Sequence, residues 1–227
     1  MSERDLSRWT PRPRPTAEKF EGRWCRLEKL NPARHSDSLF EASLASGAED
    51  RFRYLFEPAP KDRAEFDAWI LRAAGGEDPL FYAVVDSSTG RAEGRQALMR
   101  ITPEHGVIEI GSILWGPKIA RTRAATEALF LFARHSFDTL GYRRFEWKCD
   151  ALNEPSRRAA LRFGFAFEGI FRKHMVVKGR NRDTAWFAIV DSDWPRIKAG
   201  MERWLCPENF DGDGMQRMSL SEALRTT

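Results

Sequence analysis

Asn153 and Ser156 stand three residues apart at the head of an apolar helical stretch, in LNEPSRRAALRFGF. Residues of these types at that spacing can do two things. Asn is a favoured helix N-cap and Pro155 suits a first turn, so the pair can simply start a helix. The same polar groups, beside the unpaired N–H groups of a helix start, can also hold a ligand. A similar junction lies upstream, where EIGSILWG passes through PKIARTRAATEA into another helix, with Arg121 and Arg123 in the loop. That junction is either an anion site or a plain turn with solvated arginines. Two strand-to-helix junctions in adjacent units can aim their helix starts at one cleft, which suits a ligand with a pyrophosphate and a polar tail.

Other chemistries find less support. Cys25, Cys149 and Cys206 are odd in number and widely spaced, with no C-x-x-C. That argues against a disulfide framework or a zinc site and fits a reducing compartment. His35, His105, His135 and His174 show no metal-ligand spacing, so no metal is expected. No Cys-His-Asn arrangement is legible around Cys149, and a strand cysteine is usually buried and inert. DGDG at Asp211–Gly214 lacks the rest of a calcium loop and reads as a turn. The net charge of +4 admits an anionic small molecule or nucleic acid. No apolar run approaches the ~20 residues of a membrane span, and the start lacks the apolar core of a signal peptide, so a cytoplasmic location is expected.

The elements that must position these residues follow from periodicity. Residues 1–19 form a Pro/Arg-rich arm, expected to be extended or disordered. A strand runs from Arg23 to Leu30, then two helices carry Leu39 and Phe40, and Phe66, Trp69 and Ile70, with the aromatic loop EDRFRYLFEPAP between them. FYAVVD, RQALMRIT and GVIEIGSILWG read as three successive antiparallel strands. The apolar spacing from Ala125 to Leu140 predicts one amphipathic helix over Arg123–Leu140, stopped by Gly141. A strand (YRRFEWKCD), a helix over Asn153–Phe163, a closing hairpin across KGRNR and a terminal helix (WPRIKAGMERWL) complete the order, and 206–227 reads as an irregular tail. One mixed α/β domain over 20–205 is the expected organisation.

The stretch from Gly111 to Trp194 resembles the GNAT acetyltransferases, most of all the RimJ/RimL type that acetylates protein N-termini and small amines. The signatures are ATEAL, LGYRRFEWKCDALNEPSRRAALRFGF and FEGIFRKHMVVKGRNRDTAWFAIV, and GRWCRLEKLNPARHSDSLFEA is similar to the family's opening strand and helix. The resemblance implies a splayed, mostly antiparallel sheet flanked by helices, with acetyl-CoA as cosubstrate. It implies pyrophosphate contacts from Arg121, Thr122, Arg123, Ala124, Ala125 and Thr126, and pantetheine pairing at Ile113, Leu114 and Trp115. Asn153 would bond the pantetheine arm, and Ser156 would lie near the thioester sulfur as proton donor to the leaving thiolate. Glycines are common in the family at the positions of Arg121 and Arg123, where they permit positive φ; here two guanidinium groups offer phosphate contacts instead. The tyrosine acid that many members carry four residues before the Gly-Phe exit is Ala160 in this chain.

Direct transfer to a primary amine calls for a base. Glu109 on the central strand is the first candidate, Glu168 and Asp183 are further ones, and Asp183 is expected to pair with Arg182 or Arg172. The acceptor is expected between the loop after the first helix and the final hairpin, at Arg53, Tyr54, Phe56, Glu57 and the turn Lys178–Arg182. The acceptor is a small amine or a protein N-terminus, a homodimer is compatible, and no membrane partner is expected. The competing readings are a catalytically silent acyl-CoA-binding protein and an RNA-associated module. The second lacks an aromatic RNA-binding signature.

Overall fold

The computed structural model describes residues 5–225; the first four residues of the arm and the last two of the tail lie outside that range. Its strands are β1 (Lys19–Glu21), β2 (Cys25–Lys29), β3 (Leu80–Asp86), β4 (Ala92–Thr102), β5 (Val107–Trp115), β6 (Arg144–Asp150), β7 (Ala166–Val177) and β8 (Arg180–Val190). They form one sheet in the order β1-β2-β3-β4-β5-β6-β8-β7. Every pairing is antiparallel except β5 with β6.

Helices cover both faces, and β3 shows why. Its run LFYAVVD has no polar alternation because both sides are buried. Leu80, Tyr82 and Val84 join the core under helix α4 (Arg123–Arg134) and α6 (Trp194–Leu205). Phe81, Ala83 and Val85 join Leu39 of α1 (Pro32–Leu44) and Phe66 and Ile70 of α3 (Arg63–Ala74) on the opposite face. In α4, ten of twelve residues are buried, as expected of a helix apolar nearly all round. Helix α5 (Glu154–Arg162) is amphipathic and packs beside β6 and β7.

The mixed, mostly antiparallel sheet flanked by helices matches the expected fold. Several local features differ from the sequence reading. A short edge strand, β1, precedes the first expected one, and the aromatic loop opens with helix α2 (Ala48–Phe52). The helix expected to run to Leu140 leaves α geometry at Arg134 and continues as a π turn over His135–Thr139. There Ser136 Oγ donates to Phe132 O at 2.8 Å, and Leu140 N bonds His135 O at 3.0 Å. The wider turn rephases the helix so that Phe137 and Leu140 still face the core.

The two terminal segments are built onto the body. Trp9 Nε1 donates to Glu104 O at 2.8 Å, and Tyr82 Oη donates to Ala17 O at 2.6 Å, so the described part of the arm is extended and tied down. The tail is less irregular than its composition suggests. It contains a 3-10 turn (Pro207–Asn209) and helix α7 (Leu220–Arg225), whose Leu220, Ala223 and Leu224 are buried. A capping box starts α7: Glu222 N donates to Ser219 Oγ at 3.2 Å, and Ser219 N donates to Glu222 Oε2 at 2.8 Å. Gly200 lets α6 approach α7 closely, since a Cβ there would lie 2.8 Å from Leu224 Cδ2. DGDG is a turn, closed by Asp213 N and Met215 N donating to Asp211 Oδ1.

Candidate active site

The site begins where β5 and β6 part. They pair in parallel from Val107–Arg144 to Ile110–Trp147, and no further. Beyond that point Gly111–Trp115 is held by β4, and Lys148–Asp150 by β8. The divergence has a local cause. The β4–β5 register slips between Arg95–Leu114 and Ala97–Gly111, which inserts one extra residue on β5. Ser112 takes a positive φ of 48° in that bulge, and its carbonyl accepts from Arg95 Nη1 at 2.8 Å. A bulge bends its own strand and raises the local twist, so β5 turns away from β6 and a wedge opens.

Helices α4 and α5 begin at the mouth of the wedge, and their starts differ. Asn153 Oδ1 caps α5 by accepting from Ser156 N at 3.2 Å. No side chain caps α4: Thr122 Oγ1 turns back to donate to Ile119 O at 2.7 Å, and no acidic residue lies in the first turn. The first N–H groups of α4 are therefore left facing out of the helix. Arg121, just before it, has φ +65°, the left-handed conformation that favours glycine. The loop thus takes a glycine-like path with an arginine in place.

Two cavities meet here. The larger, about 820 Å³, is lined by Arg121, Thr122, Arg123, Ala125 and Thr126, by Arg158 and Arg162 of α5, and by Asp213–Gln216 of the tail. The smaller, about 300 Å³, lies over the wedge and is lined by Tyr54, Phe56, Glu109, Ile113, Leu114, Asn153, Ser156 and others. Trp115, Ala120, Pro155 and Ala159 border both. Ser156 lines the smaller cavity next to Pro155 of that border, and its Oγ accepts from Trp147 Nε1 at 3.0 Å. Beside it the Cys149 thiol is pushed up by burial, an effect that the Ser156 hydroxyl partly counters. A thiol held protonated is a poor nucleophile.

The wall of the smaller cavity is a chain of ion pairs across the sheet. Arg100 Nη1 donates to both oxygens of Glu109 at 2.8 Å, and Lys148 Nζ lies 3.0 Å from Glu109 Oε2 and 2.6 Å from Glu146 Oε2. Arg144 continues the chain from Glu146 to Glu168. Glu109, Glu146 and Lys148 are all nearly buried. Side chains at 146 and 148 share one strand face, so charge at alternate positions of a central strand was the sequence signal for this wall.

Not all the expected site residues converge. Ala124 faces the core rather than the larger cavity. The Arg123 guanidinium is sandwiched 4.0 Å from the Trp24 ring and 4.6 Å from Phe210, with its edge on that cavity. Tyr54 lines the smaller cavity and donates to Leu152 O at 3.2 Å, tying its loop to the start of α5. Glu57 does not line it; its carboxylate bonds buried Arg95 in a separate pocket of about 90 Å³. Glu168 pairs with Arg144, away from the cavity. Asp183 accepts from Lys173 N at 2.7 Å and Asn181 Nδ2 at 2.9 Å instead of pairing with an arginine. Arg100, Lys148, Arg158 and Arg162 are site-lining residues that the sequence reading did not single out. Among the described residues no group of three His, Cys, Asp or Glu could hold a metal, and no helix is long and apolar enough to cross a membrane.

Comparison with known proteins agrees with this geometry. Residues 25–166 match the model of the acetyltransferase (GNAT) domain. A GCN5-related N-acetyltransferase from Brucella melitensis is 60% identical, superposes with a TM-score of 0.96, and is covered over 100% of its length by 97% of this chain. A probable GNAT-family acetyltransferase from Chromobacterium violaceum is 36% identical, with a TM-score of 0.78 over 86% of this chain and 97% of its own. The microcin C7 self-immunity acetyltransferase MccE, solved with acetyl-CoA and AMP, shares the fold at 18% identity and a TM-score of 0.65, over 74% of this chain and 93% of its own. No curated protein matched the chain. A bulged central strand, a parallel pair that splays beside an uncapped helix start, and a family match over most of the chain lead to one conclusion: the protein belongs to the GNAT acetyltransferase family.

Proposed function

We propose that the protein transfers the acetyl group of acetyl-CoA directly to a primary amine in a ternary complex, as a RimJ/RimL-like member of its family. One observation carries the reading: at the β5–β6 wedge an arginine-lined cavity meets, along Trp115, Ala120, Pro155 and Ala159, a second cavity lined by Ser156. Acetyl-CoA, when bound, supplies a thioester carbonyl open to attack by a neutral amine. The residues present fit it. The uncapped N–H groups of α4, with Arg121 and the edge of Arg123, would receive the pyrophosphate. Ile113, Leu114 and Trp115 would pair with the pantetheine arm beyond the bulge, and Asn153 would bond it from the start of α5.

Ser156 has one hydroxyl proton to give while its lone pair holds Trp147 Nε1, so it can donate to the departing thiolate. Glu109, fixed between Arg100 and Lys148, offers a carboxylate to the incoming ammonium and a route for its proton through water. A protonated Cys149 supports direct transfer over a covalent acetyl-enzyme. Tyr54 and Phe56 flank the acceptor's entrance.

Incubating the protein with acetyl-CoA and a panel of amines and N-terminal peptides, with thiol release and product mass as readouts, tests the reading. Acceptor-dependent acetylation is expected; tight coenzyme binding without turnover would favour a binding role. Arg121→Gly separates loop geometry from charge. It should raise stability by up to about 1 kcal/mol by removing left-handed strain. It should also weaken coenzyme A roughly tenfold through loss of a charge-assisted contact. Calorimetry showing undiminished coenzyme affinity would remove Arg121 from the phosphate site.

A further inference from the structure

The smaller cavity holds a cation that the transfer reading leaves without a role. Arg182, on β8, is only 7% exposed and lines that cavity. Among the described residues its guanidinium has no ion-pair partner, and its Nε is buried without a hydrogen bond. Its close neighbour is the Phe56 ring, 4.9 Å from Cζ. The other cations around this space are held: Arg100 by Glu109, Lys148 by Glu109 and Glu146, and Arg51 by the carbonyls of Ala42, Ala45 and Ser46. The lining carries four cations, Arg51, Arg100, Lys148 and Arg182, against two carboxylates, Glu109 and Asp150. Asp150 is itself occupied, with Oδ1 accepting from Leu152 N at 2.9 Å.

Burial pushes the Arg182 guanidinium down, and the more distant Asp150 and Glu109 draw it back only in part. An uncompensated buried charge is costly, and one aimed into a cleft is a mark of a ligand site. We propose that the acceptor is a small amine bearing its own anionic group, a carboxylate or a phosphate, which Arg182 receives while the amine lies toward Glu109 and Ser156. The inference rests on the acetyl-transfer reading and narrows its substrate class. It also explains the mixed charge of the wall, since Glu109 and Arg182 together match the two ends of such a molecule.

The test is a set of matched pairs: α-amino acids against their amides, and O-phosphoethanolamine against ethanolamine. The anionic member of at least one pair should be preferred about 10- to 100-fold in kcat/KM, the range of a charge-assisted hydrogen bond. Preference for the acids identifies a carboxylate, and preference for the phosphate ester a phosphate. Arg182→Gln should collapse that ratio toward one, and Arg182→Lys should keep part of it, with melting curves confirming folded protein. Coenzyme A binding, measured by calorimetry on the same preparations, reports separately on the transfer reading. Coenzyme binding with no anionic preference overturns the inference and leaves that reading standing. Where no amine turns over, the same comparison is made on binding of the N-acetylated products to coenzyme-A-loaded protein. An unchanged ratio in folded Arg182→Gln removes Arg182 from the role, and loss of coenzyme binding in the wild type overturns both.

Discussion

Replacing Glu127 with alanine is expected to lower the unfolding free energy by on the order of 4 kcal/mol. The carboxylate lies on α4, is 6% exposed, and accepts from three consecutive backbone N–H groups, those of Arg23 at 2.8 Å, Trp24 at 2.6 Å and Cys25 at 2.8 Å. Hydrogen bonds to a charged group are worth about 1.5–3 kcal/mol each, and every orphaned buried donor adds a desolvation cost. The three bonds share one acceptor, so the loss falls below their sum. Glu127→Gln should recover less than half of it, because one oxygen would become an NH₂ group facing N–H donors. At about 2–4 °C per kcal/mol for a chain of this size, the alanine variant should melt roughly 10 °C lower. Scanning calorimetry decides it, and a loss below about 1 kcal/mol would mean that water replaces the carboxylate. The effect should reach the site as well. The turn that Glu127 anchors carries Trp24, on which Arg123 stacks at the edge of the larger cavity.

The second large effect is kinetic. Ser156→Ala should reduce kcat about 100-fold, the lower end of what a positioned proton donor contributes, with the KM for acetyl-CoA nearly unchanged. The structural cost is small: Trp147 Nε1 loses its acceptor, worth about 1 kcal/mol. The backbone N–H of residue 156 would still cap onto Asn153 Oδ1. A melting point within a few degrees of the wild type, together with the fall in kcat, separates chemistry from folding. A kcat within twofold of the wild type would place the proton donor elsewhere, with ordered water the next candidate. Asn153 gives the contrast: as both cap and candidate pantetheine contact, its substitution should move stability and coenzyme affinity together.

The sequence by itself determined what depends on neighbours along the chain. Apolar spacing set the buried α4, an unbroken apolar run set a β3 covered on both faces, and Asn153 with Pro155 set the start of α5. The capping box Ser219–Glu222 is a signal of the same local kind, but the reading of 206–227 as an irregular tail missed it and the helix α7 that it starts. Each of these rests on backbone periodicity or on a side chain reaching a few residues away. The tertiary structure decided the rest. The wedge depends on a bulge at Ser112 whose carbonyl is held by Arg95 from β4, and Arg95 is held in turn by Glu57 from 38 residues upstream. That long-range pair draws Glu57 out of the smaller cavity, although its loop places Tyr54 and Phe56 there. Arg121 adopts a glycine-like φ with no glycine to announce it, because the chain must turn from β5 into α4 at that point. Nothing in the sequence marked Arg100 or Lys148, and Arg182 was marked only as the end of a turn expected near the acceptor and as a partner for Asp183. Only the sheet order brings β4, β5, β6 and β8 side by side, setting Arg100 on Glu109, burying Lys148 against Glu109 and Glu146, and leaving buried Arg182 without an ion-pair partner among the described residues.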